Sequence, residues 1–275
     1  MNEIPILPLT KALTIATSDS GGGAGIQADL KTFAAFGVFG LSVLSAVSAQ
    51  NTLAVTGLEC LSPKLVTGQL EAVFSDIGVT AIKIGLLGNA ANTMAVSDFL
   101  WSLDPRPPII LDPVMVSASG HTFLDKESIS ALKSLFPLVS LLTPNLPEAE
   151  ALTGLSIKKS DDYVKAGQAL LATGLEQVLI KGGHSGGPHS NDLLVGPDGP
   201  IWFEQKRIET KNNHGTGCTL SSAITACQAR GEDLYNSIKI SKNYVVGAMD
   251  NSINLGHGPG PLNHFYHFYV FGELQ

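Results

Sequence analysis

Apolar runs typical of buried strands alternate along most of the chain with longer segments of helical spacing. The strand-like runs lie at 12–17, 40–47, 81–87, 108–112, 139–143 and 177–183. Between them, apolar residues three and four positions apart predict helices at 25–36, 65–77, 92–103, 127–136, 147–154 and 163–174. Such alternation implies βαβ units with right-handed crossovers. The pattern therefore predicts an α/β fold with a mostly parallel sheet and helices on both of its faces.

Two regions depart from this alternation. Residues 52–62 fit a small extra strand at the sheet edge. Residues 190–210 alternate and contain a Gly-Pro-Asp-Gly turn, which indicates a β-hairpin. The last two helices are predicted at 216–230 and 233–251. Because no low-complexity linker or repeat interrupts the pattern, we expect one domain over 1–275, with 1–10 as a flexible N-terminal segment.

Composition narrows the class of partner. The chain has 275 residues, of which 44% are hydrophobic, so it can bury a large core. Its 17 basic and 24 acidic residues give a net charge of −7, and the basic residues form no cluster. This argues against nucleic acid or an anionic membrane as partner and favours a small molecule.

The three cysteines, Cys60, Cys218 and Cys227, are odd in number and form no CxxC pair. That pattern argues against a disulfide framework or a structural zinc site and indicates a reducing compartment. The N-terminal residues, with Glu3 and several prolines, do not resemble a secretory signal. We therefore expect a cytoplasmic protein.

The uncharged stretch 32–58 is long enough to imitate a membrane span. A spanning helix needs about 20 predominantly apolar residues. Glycines, serines and amides interrupt this stretch throughout. It is better explained as a helix end, a turn and a buried strand.

In an open parallel α/β sheet, ligands bind in the loops that follow the strands. The first such loop, SDSGGGAG at 18–25, is neither a Walker A loop nor GxGxxG, so it is either a tight turn or a ligand-covering loop. Asp29, one helical turn later, could face the ligand. Gln50, after the second strand, could contact a polar ring or only complete a turn.

Oxygen-bearing side chains follow two further strands. Asp112 ends one strand, and Asn145 and Glu148 follow another. Together they suit Mg²⁺, although Asn145 and Glu148 could equally cap a helix, and both roles are compatible. Lys181 emerges from a buried strand, where a charge is uncommon without an anionic partner such as phosphate.

The stretch HGTGCTLSSAI, residues 214–224, leads a glycine-rich turn into a helix. Its backbone N–H groups and the helix dipole together form an anion site. Cys218 lies in the first helical turn, where we expect a lowered thiol pKa. Cys218 is therefore a nucleophile, a general base or a packing residue; Cys60 and Cys227 are expected in the core. A cysteine hydrolase using His214 also stays open.

Taken together, SDSGGGAGIQADLKTF, TPNLPEAEAL, VLIKGGH, KNNHGTGCTLSSAI and GHGPGPLNHF resemble the hydroxymethylpyrimidine/phosphomethylpyrimidine kinases of the ribokinase-like superfamily. The resemblance runs from about residue 11 to 267. It implies a three-layer α/β/α sandwich, usually homodimeric, that transfers phosphoryl groups from Mg·ATP in thiamine biosynthesis. Most members also convert the monophosphate to the diphosphate.

The resemblance also implies roles for individual residues. The Gly215, Thr216, Gly217 and Cys218 N–H groups would hold the transferring phosphoryl group, and Cys218 would take the hydroxymethyl proton. Thr17, Asp29, Gln50, Leu86 and Val114 would contact the pyrimidine. Lys181, Asn145 and Thr210 would bind ATP, and Asp112 and Glu148 would hold Mg²⁺ directly or through water.

The sequence departs from the family pattern at three positions. Thr17 replaces a glycine that lies against substrate, Leu86 replaces a methionine, and Asn213 replaces a threonine. The added hydroxyl and methyl of Thr17 could narrow the pocket. Three alternatives therefore stand beside the kinase: a pyridoxal-type kinase of the same fold, a non-catalytic precursor-binding protein, and the cysteine hydrolase.

Overall fold

The computed structural model describes residues 9–116 and 125–269. Within them the strands are β1 Lys11–Asp19, β2 Phe39–Gln50, β3 Val55–Cys60, β4 Ala81–Ile84, β5 Ile109–Leu111, β6 Leu141–Leu142, β7 Val178–Ile180, β8 Asp192–Gly196 and β9 Gly199–Phe203. The helices are α1 Gly25–Ala35, α2 Pro63–Asp76, α3 Ala90–Trp101, α4 Lys126–Leu132, α5 Leu146–Thr153, α6 Ser160–Leu171, α7 Thr216–Ala229 and α8 Leu234–Asp250.

The strands form one sheet in the order β3-β2-β1-β4-β5-β6-β7-β8-β9. Pairing is parallel from β2 through β7, whereas β3, β8 and β9 join antiparallel at the two edges. The chain builds outward from β1 to β3 and then restarts on the other side of β1 with β4. This reversal creates a crevice at the carboxyl ends of β1 and β4, where ligands bind in sheets of this kind.

Alternation along the strands divides the core into two layers. Ile82 and Ile84 pack in a large cluster with side chains of α2 through α6. Ile110 packs on the other face with α7 and α8, and Ala81 with α1 and α7. Because successive strand residues point to opposite faces, Lys83 projects toward the α1 and α7 layer. The predicted α/β/α sandwich is confirmed.

The predicted elements are all present, with two informative differences. The helix predicted at 127–136 ends at Leu132 and continues as a 3₁₀ segment, Lys133–Leu138, that contains Pro137. Proline lacks the N–H that an α-helix interior needs. Strands β5, β6 and β7 are shorter than predicted: each loses one or more residues at its carboxyl end, where the loops that follow the strands begin, and at least one at its amino end.

The edge strand, the hairpin and the interpretation of 32–58 are confirmed. The stretch 32–58 contains the end of α1, all of β2 and the beginning of β3. In the ranges 9–116 and 125–269, no helix is both long and apolar enough to cross a membrane. Most of the predicted flexible segment 1–10 lies outside the described residues.

Candidate active site

Several of the predicted site residues lie at the carboxyl ends of the parallel strands. Thr17 lies near the end of β1, Gln50 ends β2, and Leu86 follows β4. Asp112, Asn145 and Lys181 follow the next three strands of the sheet in turn. The N-terminus of α7 lies above the same edge, since α7 packs on β1, β4 and β5.

Lys181 and two carboxylates form the charged part of this edge. The Lys181 Nζ atom lies 2.8 Å from Asp112 Oδ1, and both side chains are largely buried. Burial opposes the charge on Lys181, but the Asp112 and Glu148 carboxylates raise its pKa. Burial also raises the pKa of Glu148, to about 7; Lys181 counteracts this rise and Asp112 adds to it. The expectation that Lys181 has an anionic partner is confirmed, with Asp112 as that partner here.

Asn145 and Glu148 form a capping box at the start of α5. Asn145 Oδ1 accepts from the Glu148 N–H at 2.9 Å, and Glu148 Oε2 accepts from the Asn145 N–H at 2.8 Å. Gly154 ends the helix with φ of 72°. The capping interpretation is therefore confirmed. It leaves Glu148 buried beside Asp112 and Lys181, so a ligand-binding role remains open to it.

The carboxylates suit a magnesium ion held mainly through water. Among the described residues, no cluster of three or more His, Cys, Asp or Glu side chains could hold a metal ion. Mg²⁺ commonly uses only one or two carboxylates and keeps several waters and substrate phosphates. Burial is the main cause of the raised pKa of Glu148, and the nearby Asp112 carboxylate adds to it, so a cation bound between the two carboxylates would lower that pKa again. The donor set therefore fits Mg²⁺.

The N-terminus of α7 presents N–H groups that are unpaired among the described residues. Gly215 caps the helix with φ of 83°, a conformation that favours glycine. In the described part of the chain, the N–H groups of Gly215, Gly217 and Cys218 have no hydrogen-bond partner, whereas that of Thr216 donates to Asn213 O at 3.3 Å. A Cβ on Gly217 would lie 3.3 Å from Lys181 Nζ. The free N–H groups and the ammonium thus border one space, which suits an anion.

The expectation of an acidic Cys218 thiol is wrong. Burial raises the pKa of Cys218 to about 11; Lys83 and the Gly25 N–H lower it, but the Asp29 and Asp112 carboxylates raise it further. Burial and two nearby negative charges outweigh the favourable contacts of the thiol. Cys218 is therefore a neutral thiol in the ligand-free protein. Of the two other cysteines, Cys227 is buried as expected and Cys60 only partly.

Asp29 is placed beneath the site. Its carboxylate is fully buried and accepts hydrogen bonds from Lys83 Nζ at 2.8 Å, Thr14 Oγ1 at 2.6 Å and Ser222 Oγ at 2.6 Å. Contact between Asp29 and the pyrimidine stays a prediction. Lys83 was missed in the sequence, although the signal that singled out Lys181, a charge in a buried strand, is also present in AIKIGLL.

Asp19 holds the glycine loop and was likewise missed. It accepts from the N–H groups of Gly21, Gly23 and Ala24 at 2.8 to 3.1 Å. His214 Nε2 lies 3.0 Å from Asp19 Oδ2. Burial opposes the charge on Asp19, but the bonds from His214 and the loop lower its pKa.

The same histidine connects the glycine loop to other predicted site residues. Gln50 Nε2 lies 3.4 Å from His214 Nε2, so Gln50 joins the cluster. His214 pairs with Asp19, and in the described residues it makes no hydrogen bond to Cys218. Cys218 also carries a raised pKa. The arrangement of a cysteine hydrolase is therefore not formed.

Thr17 directs its hydroxyl away from open space. Its Oγ1 donates to the Leu86 carbonyl at 2.9 Å, and Ser45 Oγ donates to the same carbonyl at 2.9 Å. Leu86 is 8% exposed and Val114 is partly buried beside Asp112. Thr210, predicted to bind ATP, accepts from the Asn212 N–H and pairs with Ser252, at the base of the loop that leads to α7.

Comparison with known proteins decides the family. A model of the phosphomethylpyrimidine kinase family matches residues 19–263. The chain belongs to this family. As a member, it is a phosphotransferase. Its free N–H groups, Lys181 and the carboxylates lie at the carboxyl edge of the sheet, where ligands bind in sheets of this kind.

Individual relatives agree with this assignment. The chain is 45% identical over 260 residues to the hydroxymethylpyrimidine/phosphomethylpyrimidine kinase of Haemophilus influenzae, covering 93% of this chain and 96% of that protein. It is also 45% identical to the thiamine biosynthesis bifunctional protein ThiED of Geobacter sulfurreducens, of which it spans 52%. A Bacillus subtilis pyridoxal kinase solved as an ADP complex superimposes with a TM-score of 0.86 at 33% identity, covering 94% of this chain and 98% of that one.

Proposed function

We propose that this kinase transfers the γ-phosphoryl group of ATP to 4-amino-5-hydroxymethyl-2-methylpyrimidine and then phosphorylates the monophosphate to the diphosphate. The observation that carries the proposal is the space bordered by Lys181 and by the N–H groups of Gly215, Gly217 and Cys218, which no described residue pairs. Donors fixed before the reaction stabilise charge that develops on a transferring phosphoryl group.

Lys181 would bind the phosphates of ATP, and the N–H groups at the start of α7 would bind the transferring phosphoryl group. Asp112 holds the Lys181 ammonium in place by a hydrogen bond. Because an ammonium is a compact charge with three donors, it can bind phosphate oxygens of ATP while that bond to Asp112 is kept. The N–H groups of the loop are rigid because Gly215 packs on the Gly23 carbonyl, where a Cβ would clash. Asn145 and Thr210 complete the proposed ATP side, Asn145 through its bridge to Lys181.

Asp112 and Glu148 would hold Mg²⁺, directly or through water. The ion would neutralise phosphate charge and orient the leaving group. The chain contributes the two buried carboxylates and the capping box that fixes Glu148. A bound cation would also lower the pKa of Glu148, which burial and Asp112 raise to about 7, and so keep this carboxylate ionised.

Cys218 is proposed as the general base for the hydroxymethyl proton. Because its thiol is neutral at rest, the base is a small thiolate fraction whose high pKa makes it strongly basic. Thr17, Asp29, Gln50, Leu86 and Val114 are proposed to define the pyrimidine side. Within this group, Gln50 lies beside the crevice because it contacts His214, and Leu86 lies beside it because it follows β4.

A pyridoxal-type activity is the second candidate. It is supported by the 0.86 TM-score with the pyridoxal kinase of Bacillus subtilis. The higher identity to the Haemophilus influenzae enzyme favours the pyrimidine. Both activities need the same phosphate machinery, so the ring pocket decides between them.

The test measures ADP release with Mg·ATP and either hydroxymethylpyrimidine or pyridoxal, with product masses recorded. We expect faster ADP release with the pyrimidine and a mass gain of one and then two phosphoryl groups. Activity on pyridoxal alone would transfer the chain to the second candidate. Binding of either ring without ADP release would support the precursor-binding alternative instead.

We also propose a cytoplasmic homodimer. The three cysteines are free thiols, which suits a reducing compartment. Val47 and Leu53 are 44% and 57% exposed near the antiparallel β2–β3 edge, an apolar surface that a second copy could cover. Light scattering of the purified kinase should give twice the chain mass, 28.8 kDa; replacing both residues with serine should yield the monomer.

A further inference from the structure

Four polar side chains meet behind the N-terminus of α7, inside the layer between the sheet and the helices. Thr14 of β1 and Lys83 of β4 are directly opposite each other in the parallel pair, so their side chains project to the same face. Asp29 of α1 lies between them and α7. It accepts from Thr14 and Lys83 through Oδ2 and from Ser222 through Oδ1.

Stability alone does not account for this arrangement. Lys83 and Asp29 are both 0% exposed, and burying two charges costs about as much as their attraction returns. An apolar pair of similar volume would serve the core as well. The chain also keeps space for the ammonium: a Cβ on Gly85 would lie 2.7 Å from Lys83 Nζ. A fully buried Lys83 ammonium beneath the proposed active site therefore indicates a role in catalysis.

The network leads directly to the proposed base. Ser222 lies four residues after Cys218 on α7, so the two side chains share one face of the helix. Through Asp29 and Ser222, Lys83 connects β4 and α1 to the first turns of α7. Those turns carry Cys218 and begin at the helix terminus where the N–H groups of Gly215, Gly217 and Cys218 have no partner among the described residues.

The charges that face Cys218 come from three elements. Lys83 of β4 favours the thiolate, whereas Asp29 of α1 and Asp112 after β5 oppose it. Lys83 is in turn surrounded by the same two carboxylates and Cys218, and its pKa is raised despite burial. Lys83 is thus the positive charge that offsets the Asp29 and Asp112 carboxylates next to Cys218.

We propose that Lys83 is a positioning residue for phosphoryl transfer: anchored by Asp29, it fixes the first turns of α7 and places a positive charge behind Cys218. This inference rests on the kinase function proposed above. Lys83 acts through Asp29, Ser222 and Cys218 and does not itself contact either substrate.

The first experiment compares Lys83→Met with Lys242→Met. Lys242 is also a buried lysine paired with an aspartate, Asp192, but it does not face Cys218. Alkylation of each thiol is followed by peptide mass spectrometry across a pH series. Because loss of a nearby opposite charge shifts a pKa by about one to three units, Lys83→Met should slow Cys218 alkylation about tenfold or more at fixed pH. Lys242→Met should leave it unchanged.

The second experiment covers the case in which Lys83→Met does not fold. Ser222→Ala removes only the bond between Asp29 and α7. Thr225→Val is its matched control, because the Thr225 hydroxyl is buried on the same helix and, among the described residues, bonds only to Ser221 O. We expect Ser222→Ala to lower kcat several-fold with KM for ATP little changed, and Thr225→Val to retain both values.

The outcomes separate this inference from the kinase assignment. A wild-type protein that releases no ADP overturns the kinase function, whereas the alkylation profile reports on Lys83 independently of turnover. An unchanged profile and kcat in folded Lys83→Met overturns the inference. If that variant is unfolded, equal kcat values for Ser222→Ala and Thr225→Val overturn it.

Discussion

His214 Nε2 lies 3.0 Å from Asp19 Oδ2, although the two residues are 195 positions apart in the sequence. Asp19 also accepts hydrogen bonds from N–H groups of the glycine loop, and a Cβ on Gly23 would clash with His214 Cδ2. The pair therefore sets the glycine loop against the loop that begins α7. Both loops border the proposed site for the transferring phosphoryl group.

Loss of the Asp19 charge should impair catalysis more than stability. Asp19→Asn keeps the side-chain shape but weakens the bonds to His214 and to the loop N–H groups. We expect kcat/KM to fall about tenfold to a hundredfold, since small displacements of positioning groups have effects of that size. Steady-state kinetics and thermal melting test this.

A matched control is Asp233→Asn, which alters a carboxylate that caps α8 away from the two loops. Asparagine caps helices about as well as aspartate, so the kinetics of this variant should equal those of the wild type. Equal kcat/KM values for Asp19→Asn and Asp233→Asn would refute the positioning role of Asp19.

Cys218→Ala should reduce turnover by about 10²- to 10⁴-fold, the usual contribution of a general base. Because the pKa of the thiol is raised to about 11, only the thiolate fraction is active, and wild-type kcat/KM should rise with pH through the neutral and mildly alkaline range. The variant should lose this rise. The measurement is kcat/KM for ADP release across a pH series.

Cys60→Ala provides the comparison, because Cys60 ends the edge strand β3 and takes no part in the proposed site. It should retain the wild-type pH profile. Turnover in Cys218→Ala equal to that of Cys60→Ala would exclude Cys218 as the base.

The fold and the location of the site could be predicted from local pattern. Strand-like runs that alternate with helical spacing specify the parallel sheet, and loops after the strands then identify Asp112, Asn145 and Lys181. Lys181 could be found because a charge at the end of a buried strand is conspicuous. Lys83 is likewise a charge in a buried strand, but it lies in the middle of that strand. The sequence does not show which of the two helix layers its side chain packs against.

The remaining features depend on contacts between distant segments. Helical spacing places Asp29 one turn into α1 but does not distinguish a side chain facing the ligand from one facing Lys83 and Ser222. The thiol pKa of Cys218 depends on burial and on carboxylates from two other elements, so the helix position alone gave the wrong direction. No local pattern could pair Asp19 with His214.

Thr17→Gly should widen the range of ring substrates. The variant removes the side chain that bonds to the Leu86 carbonyl, leaving Ser45 to hold that carbonyl. We expect the ratio of pyridoxal to pyrimidine turnover to rise several-fold, as expected when a hydrophobic pocket gains room for about one methyl group. Thr17→Ser retains the hydroxyl bond and loses only the methyl, so its ratio should lie between the two. A ratio that is identical in all three proteins would show that Thr17 does not limit the pocket.

His264 should make the stability of the protein depend on pH. Its side chain is buried, with Nε2 3.0 Å from Thr219 Oγ1, and burial, aided by Lys31, lowers its pKa to about 4. The unfolded chain takes up this proton near pH 6.5, whereas the folded protein stays neutral until about pH 4. The free energy of unfolding should therefore be highest above about pH 6.5 and fall by about 3 kcal/mol as the pH drops toward 4.

Urea unfolding at a series of pH values measures this dependence, and His264→Gln isolates it. Glutamine retains a hydrogen-bonding group for Thr219 but cannot be protonated, so the variant should lose the part of the pH dependence that lies between about 4 and 6.5. His189→Gln changes an exposed histidine and should leave the dependence intact. If the wild type and His264→Gln lose stability in parallel over this range, another group must account for the acid sensitivity, and His264 is not held neutral by the fold.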